Sequence, residues 1–226
     1  STAASFLFPA GRMAALLAAP WGLFAALTAA FGVLRFYRRR GARLQLAELC
    51  IDIGLVYLLL AARWLLLSRA GFQSPRVPQL IVALTAVHFH YTFFTATLLT
   101  GLLGKHLAAG GAAAVPRGLA AAALGVLAGP MLVAMGINAD LPSMEVAGAV
   151  LLATSLFATA GLTALVAAPR VGGWPVRILL WTASAALGGA MILAAYFAIG
   201  KYCGFQTLSY QAMIRLHGIA NATDRK

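Results

Sequence analysis

Glu48 and Asp52 stand one helical turn apart inside "LQLAELCIDIGLVYLLLAARW", a run otherwise fit for hydrocarbon. Helical geometry puts Gln45, Glu48 and Asp52 on one stripe, and Arg63 returns to that face further along. Two carboxylates with Cβ atoms about 5–6 Å apart do not both ionise cheaply in a low dielectric, so they are expected to share a proton. Such a pair offers an acid and a base side by side. The competing expectation is a helix-end cluster neutralised by Arg43 or by the arginines of the preceding loop. Glu48 lies near the interface, whereas Asp52 is roughly 12 Å along the helix from the start of the span.

A second candidate group is "LTAVHFHYTFFTATLLTG", with His88 and His90 in the middle of an apolar segment. Residues two apart on a helix differ by about 200° in direction, so the two imidazoles face different ways and a regular helix does not offer both to one metal. His88 falls on a polar stripe with Thr85, Thr92 and Thr95. His90 shares its face with Phe93 and Phe94, where a packed, hydrogen-bonded histidine is the alternative to a site role. Tyr91 and Thr92 are candidate substrate contacts. In the last segment, "FQTLSYQAMIRLHGIANATDRK", residues Gln206, Tyr210, His217 and Asn221 share one face with Met213. That stripe is read as facing a pocket, and Gly218 permits close approach of a neighbouring helix. The alternative is an exposed amphipathic surface.

These residues need elements to hold them, and the composition says which. The 226-residue chain is 62% hydrophobic and only 10% charged, against roughly a quarter charged in soluble domains. An all-α polytopic membrane bundle follows, one domain over residues 1–226. The net charge of +12 would suggest nucleic acid in a soluble protein. Here the excess sits in loops, where it sets orientation and meets anionic headgroups, so no nucleic-acid partner is expected. A hydrocarbon core of about 30 Å needs about 20 apolar residues per helix. Such runs cover 13–35, 45–67, 78–103, 117–138, 144–168, 174–200 and a weaker 205–222. The breaks mostly combine Gly or Pro with charge. Gly125-x-x-x-Gly129 suits close helix packing.

Seven spans place alternate loops on one side. One side collects Arg35, Arg38, Arg39, Arg40, Arg43, Lys105, Arg117, Arg170, Arg177, Arg225 and Lys226; the other collects Arg12, Arg69, Arg76 and Lys201. The bias predicts an outside N-terminus and an inside C-terminus. No cleavable signal peptide is expected, because the first apolar segment is long enough to remain as a span. Cys50 and Cys203 fall near opposite faces and are expected to be reduced and unpaired. Asp140 and Glu145 are read as loop and helix-start residues, with Ser143 as an N-cap. On this topology Glu48 and Asp52, His88 and His217 come from spans two, three and seven and converge on one polar pocket in the inner half of the bundle.

"LTAVHFHYTFFTATLLTG" and "MIRLHGIANA" resemble the two most recognisable segments of the YndJ-like bacterial membrane proteins. The resemblance spans roughly residues 45–222. The matching positions are His88, Phe89, His90 and Tyr91, and His217, Gly218, Asn221 and Ala222; beyond them the chain turns to "TDRK" in place of further hydrophobic residues. The resemblance implies a multi-pass protein of the bacterial cytoplasmic membrane and a shared role for both histidine segments. It supplies positions rather than chemistry.

Intramembrane ionisable residues are functional candidates by default. The leading expectation is an enzyme doing acid–base chemistry on a lipophilic small molecule, such as cyclisation, isomerisation or epoxide opening of an isoprenoid or polyketide. Asp52 or Glu48 would act as acid and His88 or His217 as base. Asn221, Tyr91, His90, Tyr210, Thr92 and Gln206 would orient the substrate. No cofactor is expected on this reading. The alternatives are a metal or haem protein with Fe, Zn or haem held by His88 and His217, and a non-catalytic transport or assembly protein. Oligomeric state is left open.

Overall fold

The structure is a computed structural model and describes residues 2–39, 45–72, 79–109, 117–139 and 141–203. Every regular element among them is helical. A short 3-10 helix, Thr2–Leu7, precedes α1 (Arg12–Arg39) and α2 (Leu46–Arg69). The third span is built from α3 (Gln79–Phe89), a π-helical turn at His90–Thr95 and α4 (Ala96–Ala109). Next come α5 (Arg117–Ala139) and then α6 (Pro142–Leu162), which runs through a second π turn, Thr163–Ala167, into a 3-10 turn ending at Arg170. The last element is α7 (Trp174–Cys203). Six helical stretches among the described residues are long and apolar enough to cross a membrane. They match the first six expected spans to within a few residues. The seventh, 205–222, lies outside the described residues, and with it Gln206, Tyr210, His217 and Asn221.

Small residues set the packing of the first hairpin. Ala14, Ala18, Ala25, Ala29 and Gly32 make the buried stripe of α1, and leucines and phenylalanines cover its outer face. At Gly32 an added Cβ would lie 2.8 Å from the Asp52 carbonyl oxygen, so only glycine lets α1 come that close to α2. The α5–α6 pair uses the same device: Gly129 and Gly148 face each other's helix backbones, and a Cβ at Gly148 would lie 2.7 Å from the Val133 nitrogen. Close backbone approach of this kind replaces the hydrophobic driving force that lipid removes.

Both membrane ends are tied. At one, Arg69 of α2 donates to the carbonyls of Ser5 and Phe8, at 2.8 and 2.6 Å. At the other, the end of α1, the start of α2 and the end of α4 meet in ion pairs described below. α6 starts at Pro142 with Leu141 before it and no side-chain cap. Proline at the first helical position takes the place expected for a Ser143 cap, because its missing N–H belongs to a group that would be unpaired in any case. Cys50 is buried and free.

Candidate functional site

The expected carboxylate pair is found in a closed ionic cluster. Arg35 and Arg39 stand four apart at the end of α1, as Glu48 and Asp52 do at the start of α2, so the two pairs interdigitate across the hairpin. Arg35 donates from Nε to Asp52 Oδ1 at 2.9 Å and from Nη2 to Glu48 Oε2 at 2.5 Å. Arg39 pairs with Asp52 Oδ2 and reaches Glu48 Oε2 at 3.4 Å. Lys105 Nζ of α4 completes the set, 2.7 Å from Glu48 Oε1. The Asp52 side chain is 3% exposed and that of Glu48 15%. Three cations thus surround two carboxylates, and no crowding of unpartnered acids arises. Of the two expectations for this pair, the geometry matches neutralisation by basic side chains, here Arg35 and Arg39 of α1 and Lys105 of α4; Arg43 lies outside the described residues. Arg63 is exposed and sits outside the cluster.

The two histidines of span three part as their spacing requires. His90 is turned to α1: Trp21 donates from Nε1 to His90 Nε2 at 3.0 Å. His90 Nδ1 lies 2.7 Å from the Ala86 carbonyl oxygen, which as sole acceptor makes this nitrogen the protonated one. Both ring nitrogens are therefore engaged, and the Trp21 ring tilts against the imidazole at 5.8 Å between centroids. His88 is exposed on the stripe Leu84, Val87, His88, Tyr91. Asp52 and Glu48, His88 and His90 are thus not brought together. Among the described residues, no three His, Cys, Asp or Glu side chains group as a metal set.

What span three does line is a cavity of about 900 Å³ between spans three, five and six. Tyr91, Thr92, Thr95, Leu99, Leu102 and His106 form one wall, Leu156, Thr159, Ala160, Thr163 and Ala167 the second, and Leu180, Ala183, Ser184, Leu187 and Met191 the third. Both π turns border it, a placement common for such turns, which often mark functional sites. Tyr91, on the same stripe as His88 at ordinary helical spacing, reaches the cavity rim. Of the expected site residues, Tyr91 and Thr92 belong to this wall.

The profile of the YndJ-like proteins matches residues 1–224. The chain belongs to the YndJ-like family. A relative in Bacillus subtilis (strain 168), an uncharacterized membrane protein YndJ, is 27% identical over 204 residues, which are 89% of this chain and 35% of that protein. The chain therefore spans about a third of that relative's length. No solved structure matches. In this YndJ-like chain the histidine run serves two purposes: His90 fastens span three to span one, and the residues after it wall the cavity.

His106, Thr159, Thr163 and Ser184 were not singled out by the sequence, although they line the same space. A signal existed for two of them: Ser155, Thr159 and Thr163 recur every fourth residue along an apolar helix, the spacing of one face.

Proposed function

We propose that this multi-pass membrane protein binds a lipophilic small molecule in the cavity between spans three, five and six. It sits in the bacterial cytoplasmic membrane, its basic end carrying Arg35, Arg39 and Lys105 toward the cytoplasm, as the loop charge bias favours. One observation carries the reading: a half-open cavity of about 900 Å³, within the range of roughly 300–1,000 Å³ typical of small-molecule sites, walled almost wholly by apolar side chains at membrane depth.

Acid–base turnover would need an acid and a base within reach of one substrate atom. Asp52 and Glu48 are engaged by cations away from this wall. The titratable side chains of the described wall, Tyr91 and His106, stand about 20 Å apart along span three. Binding is thus the activity these walls support, and an enzymatic role would rest on His217.

Extraction and mass spectrometry of protein purified in mild detergent test the proposal. Wild-type protein should retain a lipophile in near-stoichiometric amount, and Ala183→Trp, which fills the wall, should lose it. Equal retention by both proteins would refute the cavity as the binding place.

A further inference from the structure

The cavity is a long trough with unlike ends. On span three its wall runs from Tyr91 to His106, about 22 Å of helix, more than the roughly 15 Å of hydrocarbon in one leaflet. The His106 end is the one that carries the ionic cluster, since the neighbouring Lys105 pairs with Glu48 at the start of α2. Leu103 and Leu107 pack with Ala167 in one apolar cluster, so span five reaches its end at Arg170 on the same level. The turn into α7 follows at once, and span six starts there too.

Each of the three walls ends at this level in a basic side chain. On span three it is His106. On span five the exposed Arg170 directly precedes Val171, which lines the cavity. On span six, Arg177 heads the series Leu180, Ser184, Leu187 and Met191, all four of which line the cavity. The three- and four-residue steps of that series keep to one helix face. The guanidinium of Arg177 is tied to the rim itself: Nη2 donates to the carbonyls of Pro169 and Val171 at 3.4 and 3.2 Å. Carbonyls bring no formal charge, and acids are scarce. Of the five in the chain, Glu48 and Asp52 are committed to the cluster and Glu145 starts α6 at the opposite end. Asp140 and Asp224 lie outside the described residues. At the far end of the trough the wall residues Tyr91, Thr92 and Met191 include no Lys or Arg.

We infer that the trough seats an acyl chain of an anionic lipid from the cytoplasmic leaflet, with its phosphate met at the rim by Arg170 and Arg177 beside His106. His106 stands three residues before the end of α4, at the depth of headgroups, and the chain runs from there along apolar walls toward Tyr91. A zwitterionic headgroup is the poorer fit, because it brings a cation to a rim of cations. The inference rests on the lipophile-binding reading and names the class of lipophile within it.

The test uses the purified full chain in nanodiscs of equal phosphatidylglycerol and phosphatidylcholine, released into mild detergent, with the retained lipid read by native mass spectrometry. Phosphatidylglycerol should be retained over phosphatidylcholine by about 25-fold, about 5-fold for each arginine at a membrane surface. Arg170→Gln and Arg177→Gln should each lower that preference about 5-fold, and Arg177→Lys, which keeps the charge, should preserve most of it. Arg38→Gln, exposed at the same membrane end on α1, should leave it unchanged. Ala183→Trp should remove retained lipid of both kinds. Equal retention of the two lipids by wild type, or a preference unmoved by both arginine-to-glutamine changes, overturns the inference and leaves lipophile binding standing. So does a fall with Arg38→Gln as large as with Arg170→Gln, the mark of general attraction to a basic surface. Retention of no lipid, as a trough closed by another part of the chain would give, or undiminished retention in Ala183→Trp, overturns both.

Discussion

The ionic cluster and the cavity are both polar features of an apolar bundle, and they are built in opposite ways. In the cluster each carboxylate oxygen meets a cation, on helices held so close that glycine is required at Gly32. Around the cavity the polar groups are mostly threonine hydroxyls bonded back to their own helix, with Tyr91 and His106 beside them. Formal charge in this membrane protein therefore marks the joints, because unpaired charge is too costly to leave facing hydrocarbon. Weakly polar residues border the cavity, because hydroxyls can satisfy their demand on their own helix without a charged partner.

The sharpest way to break this contrast is Asp52→Asn. It leaves Arg35 and Arg39 short of an anion in a nearly closed site, so a loss of about 3–5 kcal/mol is expected, read as unfolding in graded SDS or urea. Adding Arg35→Gln should recover part of that loss through the coupling of the pair. Next in size is Ala183→Trp: retention of lipophile should fall 10-fold or more, while unfolding moves little, since the ring enters a void. His90→Phe removes the acceptor for Trp21 Nε1 and should cost about 1–2 kcal/mol, with a change in the emission of Trp21 against a Trp21→Phe control. The smallest effect belongs to Lys105→Met. Its side chain is 50% exposed, solvent screens it, and the expected loss is about 1 kcal/mol or less, shrinking further with salt. If Asp52→Asn were as mild as Lys105→Met, the cluster would not be the joint described here.

Much of the fold could be read from hydropathy alone. Six of the seven expected spans begin and end within a few residues of the observed helices, because bilayer thickness sets their length. The facing of residues was harder. Glu48 and Asp52 were placed correctly on one stripe, but which partners that stripe would meet depends on the hairpin register of α1, and the matching four-residue spacing of Arg35 and Arg39 was the clue to it. His88 and His90 were rightly separated by helical angle. The wall residues beyond them, Tyr91, Thr92, Thr95, Leu99, Leu102 and His106, recur at the three- and four-residue steps of one helix face. The cavity was invisible to a search for ionisable groups, since its walls are alanine, leucine and threonine. His217 and Asn221 lie outside the described residues, so the pairing of the two histidine segments stays a proposal.

The central claim is that a lipophile occupies the space between spans three, five and six. Photolabelling in nanodiscs with a diazirine-bearing hydrocarbon, mapped by peptide sequencing, addresses it most directly. The account predicts saturable labelling concentrated at Leu99, Leu102, Ala183 and Leu187, and abolished by Ala183→Trp. Uniform, non-saturable labelling of outward residues such as Leu23 and Phe31, with no enrichment at the cavity wall, would contradict it.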